Sequence, residues 1–549
     1  MLSPPSLSLQ TNQQTMVING YSFIHFLFNL SFLILLTFFL TAYPRSLTTT
    51  TPQEVCKSNQ QYVPEGYVDY LYIYYCSCKS YPILGYTFLF LWLLVLFYLL
   101  GNTASQYFCS SLEKLSRVLR LSPSIAGVTL LSLGNGAPDV FSSLVSFAGS
   151  GAGEVGISSV LGGAFFVTTV VVGVMTLFIS FTLSTSSSSI VTIDKSSFLR
   201  DTGFFILVLS SLVVMLLIGS INLWGSLCFF CLYIVYVFVV STCHLCSKIQ
   251  VEMGVPLLEG IKVEEQVCNE RTSITTVQEC HGYLKLVFQL IELPLYLPRR
   301  ITIPDVSEER WSKPFAVASV VLSPLLLATL WNSQTGLAEI GSDNSITVFL
   351  LGGVAGLVLG ITAFESTESS GPPTKCLFPW LAGGFLMSVV WAYIIARELV
   401  SLLVSIGVIL GISPSILGLT VLAWGNSVGD LMANVAMAVN GGQDGVQVAI
   451  SGCYAGPIFN TLVGLGLSLV FSSWRVYPSS FEIPKEKPLF ETLVFLIAGI
   501  LWAMVIVPSR EMKLDRVLGV GLLAIYACFL CLRISEYLGI VQIEDFFHL

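Results

Sequence analysis

The chain has 549 residues, 54% of them hydrophobic and 11% charged, where a soluble globular domain carries about 25% charge. That composition excludes a soluble protein and describes an all-α polytopic membrane protein with lipid as its surroundings. A net charge of −8 excludes a nucleic-acid-binding surface.

Residues 1–43 begin with twenty residues free of acidic and basic side chains and contain an apolar stretch at 21–42. They read as a signal anchor or signal peptide and do not resemble an Arg-rich mitochondrial presequence. Residues 44–81 are polar and are expected to be luminal or extracellular. There Cys56 is set to pair with Cys76 or Cys78 in an oxidising compartment.

A first five-helix unit follows at 82–245, with apolar spans near 82–101, 122–148, 156–182, 203–220 and 222–243. A hydrophilic stretch, 246–312, reads as a cytosolic loop. Its Arg299 and Arg300 are expected in the lipid headgroup layer. Two linking helices occupy 313–375. A second five-helix unit fills 376–549, with spans near 377–398, 413–438, 446–472, 489–507 and 517–537. Each span is near the ~20 residues that cross ~30 Å of hydrocarbon, and the chain holds about 13 of them.

Lys114, Arg117, Arg120, Lys195, Arg200, Lys248, Lys375, Arg510, Lys513 and Arg516 fall on one side if the spans alternate, and the positive-inside rule makes that side cytosolic. Arg475, Lys485 and Lys487 break the rule. Cys228 with Cys231, and Cys528 with Cys531, read as small packing residues. Glu398 reads as a helix-end residue partnered by Arg397 or a headgroup.

The two units share an internal repeat. Ser122-Pro123-Ser124-Ile125 opens one copy and Ser413-Pro414-Ser415-Ile416 the other, at a constant offset of 291 positions. Each copy ends its apolar core in Gly-Asn-x-x-x-Asp: Gly134, Asn135 and Asp139, then Gly425, Asn426 and Asp430. The odd number of helices per unit makes the copies antiparallel, giving two inverted-topology repeats. A carboxylate at membrane depth costs at least ~2.5 kcal/mol and is functional by default. Two of them in Gly- and Pro-interrupted repeats point to a transporter's ion site. Residues four apart share a helical face, so Asn135 sits with Asp139 and Asn426 with Asp430. Pro138 is expected to break the first helix and free the Gly134 carbonyl, with Gly429 supplying flexibility in the second.

These motifs resemble the paired repeats of the cation/calcium exchanger superfamily, nearest to its plant cation/calcium exchanger branch and related to the mitochondrial-type sodium/calcium exchangers. The resemblance implies a secondary antiporter, not an enzyme, that exchanges Ca²⁺ or a related cation for Na⁺, K⁺ or H⁺. It needs no cofactor and uses Asp139, Asp430, Asn135, Asn426, Gly134, Gly425, Ser427 and Asn460 as metal ligands. The superfamily's Gly-Ser-x-x-Phe-Asn/Asp segment corresponds to Gly162-Gly163-Ala164-Phe165-Phe166-Val167 and Ala455-Gly456-Pro457-Ile458-Phe459-Asn460. Gly163, Val167 and Gly456 lack the oxygens that hold monovalent ions in relatives. The plant-type resemblance implies the plasma membrane or an endomembrane, vacuole or endoplasmic reticulum, ahead of mitochondria. An intramembrane aspartyl protease and a passive cation channel are the alternatives. The first lacks its Gly-x-Gly-Asp and Pro-Ala-Leu motifs here, and the second does not need two half-sites in one chain.

Overall fold

The computed structural model describes residues 66–79, 81–111, 114, 132–148, 153–185, 192–252, 296–307, 310–334, 343–368, 371–373, 377–440 and 442–537. The expected span at 21–42, Cys56 and most of the hydrophilic loop lie outside them. The first unit contains α1 (Pro82–Cys109), α2 (Ser132–Ala148), α3 (Gly153–Ser180), α4 (Lys195–Ile218) and α5 (Leu223–Thr242). The linking pair is α6 (Lys313–Asn332) and α7 (Ile346–Ser366). The second unit contains α8 (Leu377–Leu410), α9 (Pro414–Val435), α10 (Gly445–Arg475), α11 (Lys487–Ser509) and α12 (Arg516–Glu536). Eleven of these are long and apolar enough to cross a membrane; the exception is α2, whose described part is 17 residues.

Local chemistry sets the helix ends. The second Ser-Pro is a helix start: Ser413 is the N-cap of α9, its side chain accepting from Ile416 N, and Pro414 follows at the first helical position, where its missing N–H costs nothing. Asp194 caps α4 by accepting from Ser197 N, and Gly219 closes that helix at φ 75°. Contrary to expectation, α2 runs through Pro138 without a break. The irregular turns lie elsewhere, as π-helical stretches at Phe166–Val171 in α3, Gly418–Leu422 in α9 and Asn460–Leu465 in α10.

Two contacts between connections establish the inverted topology. On one face, here the first face, the α3–α4 connection meets the α11–α12 connection: Thr192 bridges Lys513, and Ile193 N donates to Met512 O. On the second face, the α4–α5 connection pairs as a short strand with the α10–α11 connection, Ser220 opposite Glu482 and Ile221 opposite Phe481. Helix α4 therefore runs from first face to second, and its counterpart α11 runs from second to first. Two of the three cations that broke the positive-inside rule find their reason on the second face. Arg475 Nη1 donates to Ala148 O and Lys485 Nζ to Leu217 O. They sit at the negative C-terminal ends of α2 and α4, a placement worth ~0.3–1 kcal/mol each.

The apolar interior divides in two. The larger cluster joins α3, α4, α5, α9, α10, α11 and α12. The other joins α1 and α8, one face of α2, and Tyr70 and Leu71 from the segment preceding α1.

Three expectations need correcting. Arg299 and Arg300 are 1% and 4% exposed, so they are not in a headgroup layer. Arg299 donates to Asn102 Oδ1 and Thr103 Oγ1 at the end of α1, and Arg300 pairs with Asp305. Glu398 is no helix-end residue; it is buried inside α8 and accepts from Tyr70 Oη at 2.7 Å. Cys228, Cys231, Cys528 and Cys531 are free and exposed rather than packed inside. Cys76 is disulfide-bonded, whereas Cys78 is a free thiol.

Candidate functional site

Helices α2, α3, α9 and α10 cross at closest approach, and small residues let them. Ser158 Oγ of α3 lies 2.8 Å from Ser415 Oγ of α9. At Gly162 an added Cβ would overlap the backbone of Leu419. At Gly136 it would overlap the Asn460 side chain, so α2 and α10 meet face to face only because that position is glycine.

This approach places Asp139 of α2, 3% exposed, under two amides from the other unit. Asn426 Nδ2 donates to Asp139 Oδ1 at 2.9 Å and Asn460 Nδ2 to Asp139 Oδ2 at 2.7 Å. Asn426 Nδ2 also reaches Ser142 Oγ at 3.4 Å. Three buried oxygens here have no hydrogen-bond partner: Asn426 Oδ1, Asn460 Oδ1 and Ser427 Oγ. A polar atom left unpaired in a low-dielectric interior costs ~1–3 kcal/mol, so such a cluster asks for a cation. With the two carboxylates, these oxygens suffice for the six to eight ligands calcium takes at ~2.3–2.6 Å.

Asp430 lies near enough to act electrostatically on Asp139 and on the buried Cys453, but its surroundings differ. It is half-buried, its neighbour Gly429 is exposed, and a Cβ on Gly429 or Gly456 would meet nothing within 4 Å among the described residues. Asp430 of α9 and Gly456 of α10 lie toward the first-face ends of their helices. Toward the second face the site borders buried serines of α2: Ser142 Oγ meets Asn426 of α9, Ser143 Oγ lies 3.3 Å from Ser468 Oγ of α10, and Ser146 packs toward Gly156 of α3.

Of the eight residues read from sequence, the structure brings Asp139, Asn426, Ser427 and Asn460 into one cluster, with Asp430 beside it. Gly425 contributes backbone and lies so close under Phe97 of α1 that a Cβ would overlap the ring. Gly134 and Asn135 lie on α2, and the Asn135 side chain is outside what the structure describes. Gly163 does face the site: a Cβ there would lie 3.4 Å from Ser427 Oγ and 3.5 Å from Asp139 Oδ2. Val167 is buried in the larger apolar cluster. Two residues escaped the sequence reading. Ser142 was legible as the i+3 neighbour of Asp139, whereas Phe97 carries no local signal.

The family model for sodium/calcium exchanger proteins matches residues 89–242 and 380–535, one stretch in each unit. Cation/calcium exchanger 1 of Arabidopsis thaliana is 48% identical over 508 residues, covering 89% of this chain and 87% of that protein. The mitochondrial sodium/calcium exchanger protein of Homo sapiens is 32% identical over 527 residues, covering 87% and 86%. Among solved structures, the H⁺/Ca²⁺ exchanger CAX is 13% identical with a TM-score of 0.43, over 84% of this chain and 86% of that one.

Proposed function

The chain belongs to the sodium/calcium exchanger protein family, and from that premise we propose a multi-pass membrane antiporter that moves Ca²⁺ against a monovalent cation or proton. The observation that carries the site is Asp139, buried in the membrane interior and held by amides of the inverted unit beside three unpartnered oxygens. Ca²⁺ here is cargo. Asp139 and Asp430 supply charge, and the amide and hydroxyl oxygens replace lost hydration. Because ligands come from both units, a shift of the helices around the site can make and break it, which is what alternating access requires.

The protease alternative needs two carboxylates sharing a proton; here both Asp139 oxygens accept amide N–H groups instead. In proteoliposomes of the full chain, an imposed monovalent or proton gradient should drive calcium-45 uptake above equilibrium. Simple equilibration would identify a channel and reject antiport.

The coupling follows from the ligand set. Two carboxylates balance one Ca²⁺ or two monovalent ions, and Gly163, Val167 and Gly456 bring no side-chain oxygen for a third. The exchange is therefore near electroneutral. A third ion would move net charge, worth ~2.3 kcal/mol per 100 mV. A sustained current on a solid-supported membrane, reversing at the three-for-one potential, would overturn this stoichiometry.

A further inference from the structure

Tyr70, 1% exposed, precedes the first repeat yet lies inside the smaller apolar cluster. Its hydroxyl donates to Glu398 Oε2 of α8 at 2.7 Å and accepts from Trp92 Nε1 of α1 at 2.9 Å. The chain Trp92–Tyr70–Glu398 thus joins the first helix of one repeat to the first helix of the other. Tyr67 N donates to the second oxygen, Glu398 Oε1, and the Arg397 guanidinium stacks over the Tyr67 ring. Gly66 packs so closely on Ser401 that a Cβ would lie 2.8 Å from Ser401 Cβ. Helix α1 starts, and α8 ends, at the second face, so this strap meets both helices in their second-face halves.

A second segment outside the repeats joins the same two helices toward the first face. Arg310 donates to the Gln106 carbonyl of α1 at 2.8 Å, and Trp391 Nε1 of α8 donates to Thr302 Oγ1 at 2.7 Å. Helices α1 and α8 are therefore tied at two levels, about 10 Å apart along α8, by chain that belongs to neither repeat. They also share an apolar cluster separate from the larger one. Their link to the ion is Phe97, whose ring lies directly on Gly425, next to Asn426.

We propose that Tyr70 and Glu398 are positioning residues for transport: they yoke α1 to α8 toward the second face, so that the wall these helices set against the ion site moves as one body. Neither residue touches the ligands. Loosening the yoke changes how often the wall moves as a unit and leaves the ligand oxygens where they are. An ionised carboxylate buried in a membrane helix is costly; here its two oxygens each take a donor from the strap, and the strap takes its position from the carboxylate.

The inference rests on the calcium-antiport reading for its readout only, and wild-type flux tests that reading separately. The first experiment measures calcium-45 exchange kinetics for the full chain in proteoliposomes. Tyr70→Phe removes one oxygen and keeps the ring. It should lower kcat about three- to tenfold with KM for Ca²⁺ within twofold, as should Glu398→Ala. Glu398→Gln keeps an acceptor for Tyr70 and should recover most of the loss. The double variant Tyr70→Phe/Glu398→Ala should lose no more than the worse single one, because both break the same link. Unchanged kcat, a rise in KM alone, or additive losses would overturn the proposal.

The second experiment separates a yoke from a lid that must lift. In Gly66→Cys/Ser401→Cys, oxidation ties the strap to α8, after a slight outward shift to the ~3.5–4.5 Å that disulfide Cβ atoms need. Wild type is carried through the same redox steps. A yoke keeps its flux when cross-linked, because strap and α8 already move together. Loss of flux on oxidation, restored on reduction, would show that the strap lifts and would refute the yoke.

Discussion

The two copies of the repeat carry the same Gly-Asn-x-x-x-Asp, yet their carboxylates live differently. Asp139 is 3% exposed, with both oxygens under amides donated by the second unit. Asp430 is half-buried beside exposed Gly429, where an added Cβ would meet nothing within 4 Å among the described residues. The difference starts in small substitutions. Gly136 stands where the second copy has Ser427, and it alone lets Asn460 reach Asp139. Val167 stands where the second unit has Asn460, so no amide from the corresponding place in α3 is available to Asp430. An inverted repeat therefore yields one enclosed acid and one on the approach.

Neutralising each acid is the largest test of that comparison. Asp139→Asn and Asp430→Asn should each reduce calcium-45 uptake at least ~100-fold, equivalent to ~2.7 kcal/mol, with the protein still monodisperse in detergent. If Asp430→Asn keeps a third of wild-type uptake, Asp430 lines the approach without holding the ion.

The glycines sharpen the contrast next. Gly136→Ala drives a methyl into Asn460 and should cost tenfold or more in uptake. Gly456→Ala places the same methyl in open space and should stay within twofold of wild type. Equal losses would mean that the two sides are equally crowded.

Topology comes third. Single cysteines at Glu482 and Glu511, both exposed, should react with an impermeant maleimide from opposite faces. Labelling from one face would remove the inverted arrangement on which the comparison stands.

The smallest effect contrasts two corresponding helix starts. Helix α4 is capped by Asp194, whereas Glu486 at the start of α11 makes no side-chain cap. The hydrogen bond from Ser197 holds the Asp194 carboxyl below its ordinary range. A depressed carboxyl contributes stability that is complete above its unfolded value, near ~3.9, and is lost as pH falls through its folded value. Asp194→Ala should therefore cost ~1 kcal/mol at neutral pH, with the gap to wild type closing in thermal-shift measurements at strongly acid pH. A gap independent of pH would assign the loss to packing.

Much of this protein is written in one dimension. Runs of about twenty apolar residues specify helices because a backbone in hydrocarbon must bond to itself. Five of them per unit dictate that α4 and α11 oppose each other. The repeated Ser-Pro writes a helix start, and Gly-Asn-x-x-x-Asp writes a polar stripe, because both act over one helical turn. Contacts between segments hundreds of residues apart leave no such trace. That Asn460 would hold Asp139 depended on which helix faces met, and so on the volume of single residues such as Gly136. Arg299 and Glu398 looked like interfacial charges because charged side chains usually seek water. Tertiary structure buried them by supplying partners, Asn102 and Thr103 for one and Tyr70 for the other, and hydrogen bonds replaced the water that sequence alone would have assigned to them.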